Sequence, residues 1–345
     1  MSRASIQHIA DLAGVSKMTV SRVLRGEGGS RYQEQILEAA RRLDYIPVRP
    51  TLQNRRVKTN VIGVLEEGHF LFESEIGSQT FRGVAPTALN NGYDVLMLRP
   101  QQHQPVEQRK LQFLDRRCDG FIFIVSGENR EILELLVQNE MPAVACYTDD
   151  VPEGISWVTP DNEQAIRDAV ALLVSKGHRN IIYWSGPQGH SDARERTKAF
   201  TKAMREADLP LYQENYIWDN EDDKKQGIEG LPALSDSDSF HDLISNHMTA
   251  VICHNDQRAI TIWDEVVEMG FRVPEDLSII GIDNSPEAQE RSLTTLYNPF
   301  IEIGRAAADV LHSLINGGAA EDNCQRMPMP LIERASTGPA KQPLS

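Results

Sequence analysis

The chain has 345 residues, of which 40% are hydrophobic and 25% are charged. This length accommodates two or three domains, and the composition is ordinary for a folded globular protein, so long disorder and fibrous repeats are excluded. No apolar run reaches the roughly 20 residues needed to cross a bilayer, and the N-terminal residues lack the apolar block of a secretory signal. We therefore expect a cytoplasmic protein that has no membrane partner.

The net charge of −15 is distributed unevenly along the chain. The first 58 residues contain 11 Lys and Arg against 5 Asp and Glu, which leaves 24 basic and 45 acidic residues for the remainder. Positive charge in a small N-terminal segment favours contact with a polyanion such as nucleic acid. The acidic remainder is repelled by such a partner and must serve another purpose. We place the boundary between the two parts at residues 55–60.

Two short helices joined by a glycine turn are predicted in the basic segment. The apolar residues of IQHIADLA (6–13) recur at helical spacing, Ser5 can cap this helix, and Gly14 ends it. A second helix is predicted for KMTVSRVL (17–24), and the two together form a helix-turn-helix. A third apolar-periodic stretch, over 32–43, closes a three-helix core.

The second helix has an inner and an outer face. Val20, Val23 and Leu24 can face the core, which leaves Lys17 and Arg22 among the residues that face outward. Charged residues on a helix are more often a solvated face without a partner, and this alternative stays open for each residue taken alone.

The segments IADLAGVSKMTVSRVL and EAARRLDYIP resemble the DNA-binding head of the LacI/GalR family of bacterial transcription regulators. The resemblance implies that the second helix enters the major groove, where Lys17, Met18 and Arg22 read base edges. Lys and Arg can donate to guanine O6 and N7, and Met can contact a thymine methyl group. Within the family, the string KMTVSRVLR is most similar to gluconate-type members. The residues expected to contact phosphates are Ser16, Thr19, Ser21, Arg55 and Lys58.

The linker VRPTLQNRRVKT connects the head to the first strand. The resemblance implies a hinge helix here that inserts a leucine into the minor groove. Counting without a gap puts that position at Asn54, while the nearest large apolar residue is Leu52. An Asn can hydrogen-bond to base edges but cannot unstack bases as an apolar wedge does. Both a hinge helix and a flexible basic linker over residues 49–60 therefore stay open.

The acidic remainder alternates apolar strands with amphipathic helices. Near-continuous apolar strands separated by helices predict parallel sheets that are covered on both faces, and the length allows two such sheets. Ligands of this fold class bind beyond the carboxyl ends of the strands. The predicted strands are VIGVL, YDVLML, GFIFIVS, PAVACY, NIIYWSG, AVICHND and LSIIGID, and the predicted helices lie near 77–91, 107–117, 162–176, 193–207 and 257–269.

The segments DNEQAIRDAVALLVSKGHRNIIYWSGP, VPEDLSIIGIDN and LIERAST resemble the effector-binding core of the same family, which has a two-lobed, periplasmic-binding-protein-like fold. The resemblance implies a homodimer whose lobes are crossed three times by the chain and hold a small effector, a sugar, a sugar acid or a related compound, between them. The expected parts are a head over 1–48, a linker over 49–60 and a core over 61–340. The core would divide into a first lobe over 61–159 and 287–323 and a second lobe over 160–286 and 324–340.

The resemblance also implies effector contacts just beyond several strands. Arg194 matches an arginine that donates to ligand hydroxyls or carboxylates, and Asn255 and Asp283 match two further contact positions. Trp218 lies near the position where several members place an aromatic residue that stacks on a sugar face, and Tyr147 stands where some members carry an Asp. Polar residues after a strand can instead cap the next helix, and this alternative stays open for Asp283.

The sequence contains no catalytic or cofactor motif that we recognise. The four cysteines form no CxxC pair, the histidines lack ligand spacing, and neither a glycine-rich phosphate cradle nor a GxSxG elbow is present. We expect no cofactor, no metal and no enzymatic activity. The charged, Gly- and Ser-rich residues 219–239 are predicted to form a surface insertion.

These features predict a homodimeric transcription regulator, more specifically a repressor, whose affinity for a double-stranded DNA operator is controlled by a sugar-like effector. The alternative is an α/β enzyme that acts on a sugar or nucleotide and carries a DNA-targeting head. A binding module of purely periplasmic type is disfavoured by the basic head.

Overall fold

A computed structural model describes residues 4–24, 31–43, 45, 58–66, 74–98, 106–124, 130–212, 216–217 and 248–341. The N-terminal head consists of α1 (Ile6–Ala13), α2 (Lys17–Leu24) and α3 (Gln33–Arg42). The remainder builds two six-stranded sheets with helices packed against them. Within the described ranges, no helix is long and apolar enough to cross a membrane.

The head has a hydrophobic core of its own. As predicted, the Ser5 hydroxyl accepts a backbone N–H of the first turn of α1, and Gly14, with a φ of 60°, ends that helix. Ile9, Val20 and Ile36 come from the three helices, and each is 0% exposed. The predicted three-helix arrangement is therefore confirmed.

The first lobe contains six parallel strands. These are β1 (Val61–Glu66), β2 (Asp94–Met97), β3 (Gly120–Ile124), β4 (Ala143–Cys146), β5 (Ser156–Pro160) and β11 (Gln325–Met327). Their order across the sheet is β11-β5-β4-β3-β1-β2. The helices of this lobe are α4 (Glu75–Asn90), α5 (Val106–Leu114), α6 (Arg130–Gln138) and α11 (Phe300–Ile315). Alternate residues of β3 enter two separate cores, as expected for a sheet covered on both faces.

The second lobe is built in the same way. Its strands are β6 (Ile181–Trp184), β7 (Tyr216–Ile217), β8 (Ala250–Cys253), β9 (Ser278–Ile282), β10 (Thr294–Leu296) and β12 (Leu331–Ile332), in the order β12-β10-β9-β8-β6-β7. The strands are parallel except β12, which runs antiparallel to β10. The helices are α7 (Asn162–Ser175), α8 (Ser191–Glu206), α9 (Asp256–Glu268) and α10 (Pro286–Glu290), and a 3-10 turn over Glu321–Asn323 precedes β11.

Three crossings between the lobes are present, but two of the expected boundaries are wrong. Residues 287–299 do not return to the first lobe, because β10 pairs with β9 in the second sheet. The crossing falls instead between Leu296 and Phe300. Residues 325–327 were expected in the second lobe, but they pair with β5 in the first. Strands of two or three residues lack a pattern of their own, and long-range pairing decides which sheet they join.

Two glycines bring α4 and α11 into close contact. A Cβ atom on Gly83 would lie 2.0 Å from the carbonyl oxygen of Ile301, and one on Gly304 would lie 2.0 Å from that of Thr80. Only hydrogen atoms fit between these backbones. This contact fixes the N-terminal ends of α4 and α11, both of which line the cavity between the lobes.

We expect Gly83→Ala to lower the free energy of unfolding by roughly 1–3 kcal/mol, because the added methyl group meets backbone atoms that cannot rotate away. Gly189→Ala is the matched control, since no atom lies within 4 Å of its Cβ position. Chemical denaturation of both variants measures the effect. Equal stability of the two variants would contradict the close packing.

Candidate DNA-binding face and interlobe cavity

The outer face of α2 carries the three side chains expected to read bases. Lys17 and Arg22 are exposed, and Met18 is 73% exposed. Val20, on the opposite side of the same helix, is fixed in the core of the head. The helix is therefore anchored by one face and presents two cations and a thioether on the other.

The hydroxyls at the start of α2, which were expected to contact phosphates, also stabilise the end of the helix. Ser16 Oγ accepts the backbone N–H of Thr19 at 3.1 Å and lies 2.9 Å from Thr19 Oγ1. These contacts cap the helix, and the N-terminal end of a helix suits a phosphate. Ser21 is half-buried.

The connection between head and core is described only from Lys58 onward. Lys58 Nζ donates to Asn316 Oδ1 at 2.7 Å, which places this lysine against the first lobe at the end of α11. Leu52, Asn54 and Arg55 lie outside the described residues, so the predicted hinge and its phosphate contact stay predictions.

A cavity of about 800 Å³ lies between the lobes at the carboxyl ends of their strands. The first lobe contributes the N-terminal ends of α4 and α11 together with Tyr147 after β4. The second lobe contributes the residues that follow β6, β8 and β9. This is the position at which parallel α/β sheets bind ligands.

Tyr147 lies at the junction of the lobes and is 1% exposed. Its hydroxyl lies 2.5 Å from the Thr80 hydroxyl within the first lobe. Its carbonyl oxygen accepts the Ser191 hydroxyl of the second lobe at 2.7 Å. Burial raises the pKa of the phenol well above its ordinary value. Tyr147 thus lies at the cavity as expected. Its side chain is a neutral phenol, and the residue contacts both lobes.

Asp283 follows β9 with a left-handed φ of 119°, which turns its side chain to the cavity. Asn298 Nδ2 donates to its Oδ1 atom at 3.1 Å. Removal from bulk water raises the pKa of Asp283 to about 8, against the opposing effect of Arg196. The cap of α10 is Ser285, so the alternative in which Asp283 is that cap does not apply.

Arg194 does not reach the cavity, and the expectation for this residue is wrong in the structure. Its Nη1 atom donates to the carbonyl oxygens of Gln188 and Gly189 at 2.7 and 2.8 Å. The arginine of α8 that lines the cavity is Arg196. Helical spacing could have revealed it, because Arg196 shares the buried stripe of α8 with Phe200, whereas Arg194 falls outside that stripe.

Arg196 is the centre of a buried polar network and is 7% exposed. Its Nε atom donates to Asn162 Oδ1 at 2.7 Å, and its Nη1 atom donates to the carbonyl oxygen of His254 at 3.1 Å. Its Nη2 atom lies 3.7 Å from a carboxylate oxygen of Asp192. Asn162 Nδ2 in turn donates to Asp192 and Glu195 at 3.0 and 2.9 Å. Burial raises the pKa values of both carboxyls, that of Glu195 to about 7.

Asn255 lines the cavity as expected, and it also caps a helix. Its Oδ1 atom accepts the backbone N–H of Arg258 at 2.8 Å at the start of α9. The neighbouring Asp256 accepts the Ser285 backbone N–H and the Thr295 hydroxyl at 2.7 and 2.6 Å. Asp256 therefore fixes the loop after β9. Trp218 lies outside the described residues.

A helix-turn-helix head joined to a two-lobed ligand-binding core defines a class of DNA-binding regulators, and the comparisons with known proteins agree. Residues 5–48 match the model of bacterial regulatory proteins of the lacI family, and residues 170–337 match that of a periplasmic binding protein-like domain. The transcriptional repressor CytR of Escherichia coli (strain K12) is 30% identical over 347 residues, which cover 97% of this chain and 96% of CytR. The chain therefore belongs to the lacI family of bacterial regulatory proteins.

Solved structures have the same fold. The lac repressor dimer bound to operator and the anti-inducer ONPF aligns with a TM-score of 0.66 at 22% identity and covers 98% of this chain and 100% of that chain. The transcriptional regulator CelR in complex with cellobiose aligns with a TM-score of 0.66 at 23% identity and covers 97% of this chain and 100% of that chain. Because CytR is a transcriptional repressor and residues 5–48 match a family of regulatory proteins, the enzyme alternative is not supported.

The raised pKa of Asp283 gives stability a defined dependence on pH. Between its ordinary pKa of 3.8 and the folded-state value of about 8, the folded protein holds a proton that the unfolded chain releases. The contribution of Asp283 to stability therefore falls as the pH rises through this window. We expect the stability of Asp283→Asn, relative to the unchanged protein, to increase from about pH 5 to about pH 8.

Thermal denaturation across this pH range measures the difference. Asp168→Asn on α7, where the carboxylate accepts only a surface Gln164 amide in the described contacts, is the control for the loss of one carboxylate. A difference between Asp283→Asn and the unchanged protein that is flat with pH would contradict a protonated Asp283.

Proposed function

We propose that this protein is a homodimeric repressor that binds a palindromic operator through paired heads, and that a small sugar-like effector between the lobes controls its affinity for DNA. The proposal rests on one observation. The same chain has an exposed cationic face on α2 and a polar cavity at the strand ends of two lobes. The proposed site of action on the chromosome makes the protein cytoplasmic.

The DNA contacts follow from the orientation of α2. Lys17 and Arg22 donate to guanine edges in the major groove, and Met18 packs against a thymine methyl group. The capped N-terminal end of α2, with Ser16 and Thr19, contacts the phosphates and sets the register, with Ser21 and Arg55 as further phosphate contacts. Lys58 joins them only when its Nζ atom leaves Asn316 Oδ1. One head of this size makes few base contacts, so two heads on adjacent half-sites are needed for specificity. The lac repressor relative, a dimer on its operator, supports this arrangement.

The effector contacts follow from the cavity. Its volume of about 800 Å³ suits a small ligand. Arg196, Asp283 and Asn298 supply polar groups, while Phe300 and Tyr147 supply rings that can cover a sugar face. We place Asn255 among the further contacts, and we keep Trp218 as a contact that the family resemblance alone supports. The cellobiose complex of CelR supports the sugar class.

The effector controls DNA affinity by changing the populations of two arrangements of the lobes. A ligand that contacts both lobes favours one arrangement over the other by the difference in its affinity for the two. The lobes are linked by three crossings and by the contact of Ser191 with Tyr147. Because Lys58 is held on the first lobe, a rotation of the lobes moves the chain that leads to the head. The spacing of the two heads then changes relative to the half-sites.

We expect Arg22→Ala to weaken binding to the selected operator by about 1–3 kcal/mol and to relax the base preference at one position of each half-site, because a bidentate guanine contact is lost. Operator selection from random duplexes, followed by fluorescence anisotropy at several salt concentrations, measures both effects. Arg41→Ala removes the same charge from an exposed site on α3 and is the matched control. The same affinity and base preference in the two variants would exclude α2 as the recognition helix.

We expect at least one compound from a panel of mono- and disaccharides to raise the Tm of the protein and to change its operator affinity. Arg194→Gln should retain this response, because Arg194 donates to backbone carbonyls away from the cavity. Arg196→Gln should lose it, since the guanidinium that lines the cavity is absent. Circular dichroism of the ligand-free variants controls for folding, and a loss of the response only in Arg194→Gln would contradict the assignment.

A further inference from the structure

We propose that the effector carries a cationic amino group, so that the cavity selects aminated polyols over their neutral and acidic counterparts. The inference rests on the proposed function, because it names the chemical class of the effector that the interlobe cavity takes.

The charged groups that line the cavity are mostly acidic. Six carboxylates and two guanidinium groups contribute to its lining. One guanidinium, that of Arg291, lies in a two-point ion pair with Asp264 at 2.5 and 3.1 Å. The other, that of Arg196, donates to Asn162 and to the carbonyl oxygen of His254. Both cations are thus already paired with protein acceptors, and of the two Arg196 is the effector contact proposed above.

The carboxyl groups have fewer protein partners than the two guanidinium groups. Asp256 is held by Ser285 and Thr295. Asp283 and Asp192 receive amide hydrogen bonds from Asn298 and Asn162, respectively, and Glu75 lies at the exposed start of α4. Carboxyl groups of both lobes therefore face the cavity, and a cation that enters it favours the ionised form of Asp283 over the protonated form that burial favours.

Asn298 provides an observation that is independent of charge. It is 4% exposed, and its Nδ2 atom donates to Asp283. Its Oδ1 atom is buried and has no hydrogen-bond partner among the described residues. An unsatisfied buried acceptor is unfavourable, and a donor that enters the cavity can satisfy this carbonyl and replace the proton on Asp283.

An ammonium group fits this wall better than a hydroxyl or a carboxylate does. It offers three donors and no acceptor, whereas a hydroxyl offers one donor and a carboxylate offers none. A cation also favours the ionised form of Asp283, and an anion meets repulsion from the same groups. The rings of Tyr147 and Phe300, with centroids 6.2 Å apart, add an aromatic wall that attracts cations. An acidic effector of the gluconate type is therefore disfavoured.

Matched sugar series test the inference. The probes are D-glucosamine, D-glucose and D-glucuronate, together with the corresponding galacto and manno compounds, and calorimetry and thermal shift on the full chain give the affinities. We expect the amine of the recognised series to bind at least about tenfold more tightly than the neutral parent, and the uronate to show no binding. A neutral or acidic member that binds as tightly as the amine would overturn the inference.

The same titrations separate this inference from the proposed function. If a neutral or acidic sugar changes operator affinity, effector control stands and the cationic class is wrong. If no member of any series changes either Tm or operator affinity while the operator is still bound, effector control by a sugar-like ligand fails and the inference fails with it.

Variants test the source of the preference. Asp283→Asn should reduce the ratio of amine affinity to parent affinity at least about fivefold, because the carboxylate that pairs with the ammonium is replaced by an amide. Glu75→Gln, at the exposed end of α4, should reduce the ratio about twofold and serves if Asp283→Asn unfolds. Asp168→Asn on the surface of α7 is the control that leaves the ratio unchanged. An unchanged ratio in both cavity variants would overturn the inference.

Discussion

The buried guanidinium of Arg196 is the interaction on which the cavity wall of the second lobe depends. A charge removed from water is unfavourable unless it is paired and hydrogen-bonded, and this one is satisfied by three elements at once. Its partners lie on α8 itself, at Asn162 directly after the first crossing, and at His254 directly after β8. Loss of Asp192 removes the carboxylate partner of this charge, and loss of Asn162 leaves one of its N–H groups without an acceptor. The network therefore fixes the cavity wall of the second lobe relative to the strand that joins the lobes.

The two parts of the chain are electrostatically opposed. The head and linker together carry an excess of positive charge, and the core carries a larger excess of negative charge. In contact with DNA, the first is attracted and the second is repelled. This opposition orients the molecule with its heads on the duplex and its lobes away from it, before any base is read. The acidic cavity belongs to the same core, so the charge that keeps the lobes off DNA also selects against anionic ligands.

The success of prediction from sequence differed between elements for physical reasons. β3 and β4 were predicted because parallel strands covered on both faces are continuous apolar runs. β10 and β11 were assigned to the wrong lobes, because three residues hold no periodic signal and their pairing is a long-range event. The same distinction applies to the candidate site. Asp283, Asn255 and Tyr147 directly follow apolar strands, and the sequence therefore predicted them as cavity residues. Arg196 was missed, because only the spacing of buried residues along α8 shows that it faces inward.

Tyr147 is attached to the two lobes by groups of different kinds. Its ring stays with the first lobe through Thr80, while its backbone carbonyl holds Ser191 of the second. When the lobes part, the aromatic wall of the cavity leaves with one half and the carboxylates of Asp192 and Asp283 leave with the other. A bound molecule that contacts both walls therefore holds the lobes together. Its residence time sets how long the distance between the two heads stays unchanged.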